Sequence, residues 1–513
     1  MLNDQIMIIK VNALILKEGS VMVKFYILIF IVFANTVYAH EPLCSPSPLL
    51  GKPYYISTQG KDYKGDGSRV NPWKSINYAL SVIPDGNTLI VKNGTYLESV
   101  KISKAFNKGL LLKAETPYHA KLTNNKRVLA LIKNATNITI EGFEITHNSA
   151  QAKPLVVHID GWGQKNLKNI TLKNNIIHDS YNNDLLKINY GAEDITIECN
   201  MFYNQGDSDE HIDINSVANI TVRDNVFFND FQKSNRKITK KSSSFIVIKD
   251  SNNNDDRFHG SENITIKRNV FFNWQGSHGQ GFILVGEDGK PYYEAHNINI
   301  YNNLMLGNSP ISMRSPFMVK GAKDINFFNN TISGDLPSNA YAVRITQEQK
   351  NKKPTNINLY NNIWSDPTGT MGQGAYQDNS DFSDTLLHQL NNFTLNNNLY
   401  WNNGLDLPYS IFDKINPVTD KNKIINNPQL GDNKQLITPV WSPTKNAFDD
   451  GSFEIRDVFL RLVNFYGTPK FNSNRVNAKT IFYFPKDDIL GRPRVIPHNV
   501  GAYHFNSKKI NKP

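Results

Sequence analysis

One nine-residue phrase recurs along the middle of the chain, alternating apolar and small polar positions before an Asn and a second apolar pair. Its copies are NITIEGFEI (137–145), NITLKNNII (169–177), DITIECNMF (194–202), NITVRDNVF (219–227), NITIKRNVF (263–271), NINIYNNLM (297–305), DINFFNNTI (324–332), NINLYNNIW (356–364) and a degenerate NFTLNNNLY (392–400). The period of two predicts strands, and no segment sustains the 3.6-residue period of a helix. Successive phrases start 25 to 44 residues apart, as fixed rungs joined by loops of unequal length would. Short strands repeated this way predict a solenoid, and the β-branched residues crowding them make it an all-β parallel β-helix.

Eight copies carry Asn at one position, Asn175, Asn200, Asn225, Asn269, Asn303, Asn330, Asn362 and Asn398, and Gly142 is read as its counterpart in the first. Asn and Gly both tolerate left-handed backbone, so the position is expected to turn one strand into the next. Stacked on successive rungs, the amides are expected to form a buried hydrogen-bonded ladder. A second set of strands lies between the phrases: LVVHID (155–160), DLLKIN (184–189), EHIDIN (210–215), SFIVIKD (244–250), GFILVG (281–286), PFMVKG (316–321) and YAVRIT (341–346). With the Ile and Leu positions turned inward, His211 is expected to face outward, and His158, Lys187, Asp213, Lys249 or Val247, and Arg344 are expected to stack in one outward column.

At 513 residues and 39% hydrophobic content, with 28 Phe, 22 Tyr and 6 Trp, the chain can build a sizeable core. The N-terminus supplies an address. From Met22 it reads MVKFYILIFIVFANTVYA, an apolar run too short to span a membrane, followed by small residues that suit signal cleavage before His40. The expected product is secreted, extracellular or periplasmic, with no stable membrane insertion, and monomeric. Residues 1–39 are read as leader and signal, 40–53 as a linker, 54–410 as the β-helix with its cap, and 411–513 as a loop-rich tie-down segment. A helix beginning near Pro72 is expected to cap the open end of the solenoid. The cysteines, Cys44 and Cys199, lie far apart, and no bridge between them is expected.

The opening YYIS...GDGS...NPWKSINYAL...IPDGNTLIV..GTY, the Asn phrases and the closing DILGRPR....VGAYHF together resemble right-handed parallel β-helix proteins of the pectate-lyase-like superfamily. The resemblance covers nearly all of 54–505 as architecture. An Asp on one coil, an acidic cluster on the next and a Lys on the one after is similar to the calcium-dependent lyases whose base is a lysine. It implies Asp184, Asp209 and Asp213 as ligands for Ca²⁺, with Asp207 and Glu210 as alternates, and Lys249 as base, with Lys187 second. Two departures stand out: Glu210-His211 takes a place richer in Asp-Gly in that family, and Lys249 lacks flanking glycines.

The chemistry agrees with that order. Removing the proton next to a uronate carboxylate requires its charge to be offset, and several carboxylates on adjacent rungs suit calcium, which takes oxygen ligands. A lysine beside a metal cation can act as the base. His211 among carboxylates resembles the Asp and His constellation of mannuronan epimerases. Arg257, His259, Arg314 and Arg344 are candidates for binding substrate carboxylates, which a guanidinium matches in a bidentate way. The basic run 229–243 and the formal net charge of +10 favour a polyanionic partner. With a secretory signal and no nucleic-acid motif, that partner is expected to be an acidic polysaccharide and not nucleic acid. A lyase is the expected activity; an epimerase, a hydrolase using two carboxylates and a noncatalytic carbohydrate-binding β-helix remain open.

Overall fold

A computed structural model describes residues 44–163, 166–252, 255–309, 311–334, 341–371, 382–432, 436–470, 483–495 and 498–505. The segment expected to be leader and signal, residues 1–39, lies outside the described residues. Three long sheets, each parallel throughout, form the molecule. Sheet one has twelve strands, running from Pro53–Ile56 to Asn391–Asn396; sheet two has twelve, from Gly94–Tyr96 to Ile424–Ile425; sheet three has nine, from Val100–Ile102 to Arg344–Thr346. One circuit visits them in turn: Lys168–Lys173 in sheet one, Ile176–His178 in sheet two, Leu186–Asn189 in sheet three, then Glu193–Glu198 in sheet one again. The expected β-helix is the fold observed. Its interior is stacked in register, with Ile170, Ile195, Ile220, Ile264, Ile298, Ile325 and Ile357 directly above one another and buried.

The ladder forms. Each Asn side chain from Asn175 to Asn362 donates through Nδ2 to Oδ1 of the next, at 2.9 to 3.2 Å. The same Oδ1 accepts the preceding Asn's backbone N–H at 2.8 to 3.0 Å. Asp420 ends the column by accepting the side chain and the backbone N–H of Asn398, at 2.8 and 3.0 Å. The turn itself falls one residue earlier than expected. Asn174, Cys199, Asp224, Arg268, Asn302, Asn329, Asn361 and Asn397 have φ between 50 and 61°, and Gly142 belongs with them at 87°. The left-handed residue swings the chain around the corner, so the following amide points inward. The first residue of every phrase, Asn137 through Asn392, is left-handed as well, and most of these side chains link along the outer corner, as in Asn297 Nδ2 to Asn263 Oδ1 at 2.6 Å.

The cap helix spans Ile76–Val82 and starts later than Pro72, because Trp73 is still extended beside Ile56 and its ring stacks on Tyr54. Ser75 Oγ accepts from Tyr78 N–H, and Glu98 accepts from the N–H groups of Ile76 and Asn77. Ile76, Ala79 and Leu80 cover the end of the core. At the other end of the chain, helix Ile455–Leu462 lays Ile455, Val458, Phe459 and Leu462 over an apolar column on the outer face of sheet two, built from Ile176, Met201, Val226, Val270 and Leu304. Among the described residues no helix is long and apolar enough to cross a membrane.

Contrary to expectation, Cys44 and Cys199 form a disulfide. Cys199 takes the left-handed turn position on its rung. Cys44 is brought to the structure by a segment held along sheet one, where Ser47 N–H donates to Glu141 at 3.1 Å and Leu50 N–H to Thr88 Oγ1 at 2.8 Å. Sequence distance was a poor guide, because the leading segment forms no rung of its own and instead crosses successive circuits, meeting Thr88, then Glu141, then Cys199.

Replacing Asn303 with Ala is expected to leave a buried carbonyl and a buried N–H without partners and to cost about 2 kcal/mol or more, read as a lower urea midpoint. Asn297→Ala on the exposed outer corner is expected to cost less, about 1 kcal/mol, the strain of alanine in left-handed backbone.

Candidate functional site

Sheet three carries the site, because its outward side chains fall into register. His158, Lys187, Asp213, Val247, Leu284, Met318 and Arg344 occupy one column. Lys249 stands in the adjacent column, following Asp160, Asn189 and Asn215. Asp184 and Glu210 sit just ahead of their strands at the corner between sheets two and three, where Leu185 N–H donates to the Glu210 carbonyl. Alternation in the strand and a fixed corner therefore bring three carboxylates together. Asp184, Glu210 and Asp213 are all buried, and one oxygen from each lies within 4.8 Å of the others.

Two lysines compensate the triad. Lys187 Nζ lies 2.5 Å from Asp213 Oδ2 and 3.9 Å from Asp184 Oδ2. Lys249 Nζ lies 4.0 Å from Asp213 Oδ2, 2.5 Å from Glu287 Oε2 and 3.8 Å from Asp288 Oδ1. Glu287 and Asp288 escaped the sequence reading, although an acidic pair directly after the strand of GFILVGEDG was a usable signal. Their loop is fixed from beneath: the buried Glu294 accepts N–H groups from Glu287, Asp288 and Lys290 at 2.9, 3.0 and 3.1 Å.

The electrostatics follow from burial and crowding. Burial, then the Asp213 charge, raises the Asp184 carboxyl above its ordinary range, although its partners pull the other way. Burial and the Asp184 charge raise Glu210 well above its own. Asp209, at the rim and accepting from Asn183 Nδ2 at 3.0 Å, is pushed up to about 7 by burial and by Asp184. Burial alone would lower the two lysines, but Asp213 with Asp184 outweighs it at Lys187, and Asp213, Glu210 and Glu287 outweigh it at Lys249, so both are raised.

Other candidates lie elsewhere. Asp207 is exposed and accepts from Thr239 Oγ1 at 2.5 Å. His211 does not face outward: its strand begins only at Ile212, and the preceding corner turns the imidazole into the core, 4.1 Å from the Phe245 ring. Burial lowers His211 to about 3. Arg257 pairs with Glu193 at 2.8 Å, at the start of a sheet-one strand, and the His259 ring lies 5.0 Å from that of Tyr292, tilted against it. Arg314 and Arg344 both bind Asp384 at 2.8 Å; Arg344 lies four rungs beyond Asp213, ~19 Å along the axis. In the basic run, Arg236 is engaged by Asp179 and Lys233 by Asp449, while Lys237, Lys240 and Lys241 are exposed.

No family model matches the chain, and no curated protein does. Solved structures do. Pectate lyase Pel9A superposes with a TM-score of 0.51 at 13% identity, over 89% of this chain and 97% of its own. A rhamnogalacturonan lyase follows at 0.45 and 13%, over 82% and 99%, and the endo-xylogalacturonan hydrolase from Aspergillus tubingensis at 0.41 and 14%, over 71% and 100%. At such identities the likeness to the pectate lyase establishes the parallel β-helix fold.

Asp209 gives a pH signature. Its folded value, about 7, exceeds the ordinary 3.8, so its contribution to stability is present at low pH, declines as pH climbs from about 4, and is gone above about 7. The urea midpoint of the chelator-treated wild type, relative to Asp209→Asn, is expected to fall across that window.

Proposed function

We propose that this protein is a secreted polysaccharide lyase that cleaves a uronate-containing chain by calcium-assisted β-elimination. The observation that carries the reading is a pair of buried carboxylate oxygens with no hydrogen-bond partner, Asp184 Oδ2 and Asp213 Oδ1, set beside Glu210 with a lysine on either side. Buried polar atoms in native folds are nearly always satisfied, so orphaned oxygens in an acidic triad fit a missing cation. Asp184, Glu210 and Asp213 would hold it, with Asp209 at the rim. A calcium ion held by these residues would supply positive charge to offset the substrate's carboxylate and so acidify the neighbouring C–H.

Lys249 is the base. Its Nζ takes the proton from the carbon next to the carboxylate; the freed electron pair forms a carbon–carbon double bond and expels the glycosidic oxygen of the following carbon, which leaves as an alkoxide and takes its proton from water. A neutral amine is required, and the acids around Lys249 hold it protonated, so their charge must be offset before it can serve. The role expected of Lys187 is the balancing of Asp213. His211, shut in the core, has no role in proton transfer to a sugar, which removes the feature that suggested an epimerase. The pectate lyase sharing the fold supports the choice of an acidic polysaccharide, and the signal-like N-terminus together with the disulfide supports secretion.

The mature chain from His40, incubated with a panel of polyuronates, is expected to release an ultraviolet-absorbing unsaturated product from one of them, with calcium and not with chelator. The rate should rise toward alkaline pH as Lys249 loses its proton. Lys249→Ala and Asp213→Asn should each lower kcat by at least about a hundredfold. New reducing ends without absorbance would instead identify a hydrolase.

A further inference from the structure

We infer that Arg127 forms the anion-binding end of a second subsite on sheet three, holding a substrate carboxylate two rungs from the acidic triad. The inference rests on the uronate reading above and deepens it. Val128 pairs beside Val156, and Val156 beside Leu185, through N–H donation to the carbonyls of Val156 and Asp184. Arg127 therefore occupies the corner column that carries Asp184 and Glu210 and precedes Asp184 by two rungs, ~10 Å along the axis.

Arg127 differs from the other arginines considered for substrate binding in that its side chain has no partner among the described residues; Arg456, whose Nε is likewise unsatisfied, lies on the helix over sheet two, away from the groove. The Arg127 side chain is half-buried, its Nε is shut from solvent without a hydrogen bond, and it forms no ion pair among the described residues. Arg236, Arg257, Arg314 and Arg344, by contrast, are each bound to a carboxylate. The acid near it, Asp160, is turned to other work: Oδ1 accepts from Trp162 N–H at 2.8 Å, and Oδ2 faces His158 Nε2 at 3.9 Å. His158, on the same face, is kept neutral by burial and by the Arg127 charge, which lower it to about 4. A guanidinium drawn out of water without a counter-ion is costly, and a carboxylate arriving from solvent supplies two parallel hydrogen bonds and the missing charge. The groove thus has a cation-assisted carboxylate position at the triad and a guanidinium position at Arg127. That arrangement suits a polymer with repeated carboxylates and disfavours one in which they are isolated or esterified.

The test compares wild type, Arg127→Gln and Arg127→Lys as full mature chains with calcium. On the polyuronate that wild type cleaves, Arg127→Gln is expected to raise KM about tenfold or more, the loss of one charge-assisted pair, with kcat within about twofold. Arg127→Lys should recover part of the loss, and the difference should narrow on a partly methyl-esterified polymer that wild type still cleaves. Removing an unpaired charge should leave the thermal midpoint unchanged or higher. An unchanged KM, or an equal loss on the partly esterified polymer, overturns the subsite while leaving the lyase reading intact. If wild type forms no unsaturated product, the lyase reading fails, and calorimetry with a saturated oligouronate decides the subsite alone: weaker binding to Arg127→Gln supports it, and equal affinity overturns it.

Discussion

The buried amide column is the constraint on which the rest depends. Each Asn Oδ1 accepts both the side-chain and the backbone N–H of the Asn before it, and each Nδ2 also donates to a carbonyl of an earlier circuit, as Asn303 does to Ile266. These bonds cannot be made if a rung slips, since side chains alternate faces with a period of two. Fixing the corner thus fixes which residues of the next strand face out. On the rung of Ile212–Asn215, a slip of one residue would bury Asp213 in the core and expose Ile212 and Ile214 to water.

Placing acids on that outward face creates an electrostatic problem, which the chain solves locally. Asp184, Glu210 and Asp213 are too buried to be hydrated and too close together to be charged independently. Lys187 and Lys249 balance them from two sides, and Glu287, held by Glu294, balances Lys249 in turn. The overall positive charge of the chain plays no part in this; the compensation happens within a few ångströms.

Much of the fold was legible because a solenoid writes its rungs directly into sequence. The phrases gave sheet one and the ladder, and the intervening strands gave sheet three and the Asp213 column. The residue that turns the corner was misplaced by one, because Asn occupies both the turn and the ladder positions in several copies, as in Asn174-Asn175, and identity alone does not tell them apart. His211 was misread because alternation was carried past the end of its strand. Arg314 and Arg344 looked available until Asp384, distant in sequence, proved to hold both. Glu287 was overlooked although its place directly after a strand was legible, whereas Arg127 was invisible: what matters about it is a partner lacking across rungs, and linear spacing does not encode that.

The disulfide has a consequence for the order of assembly. Its two cysteines are separated by 155 residues, and Cys199 acquires its geometry only at the turn of a formed rung. A chain emerging from its N-terminus therefore exposes Cys44 early and must carry it unpaired until several circuits have stacked beneath it. The bridge then acts as a latch set from behind: it secures the leading segment against sheet one only after the solenoid it borders has taken shape, so the first residues out are among the last to be fixed.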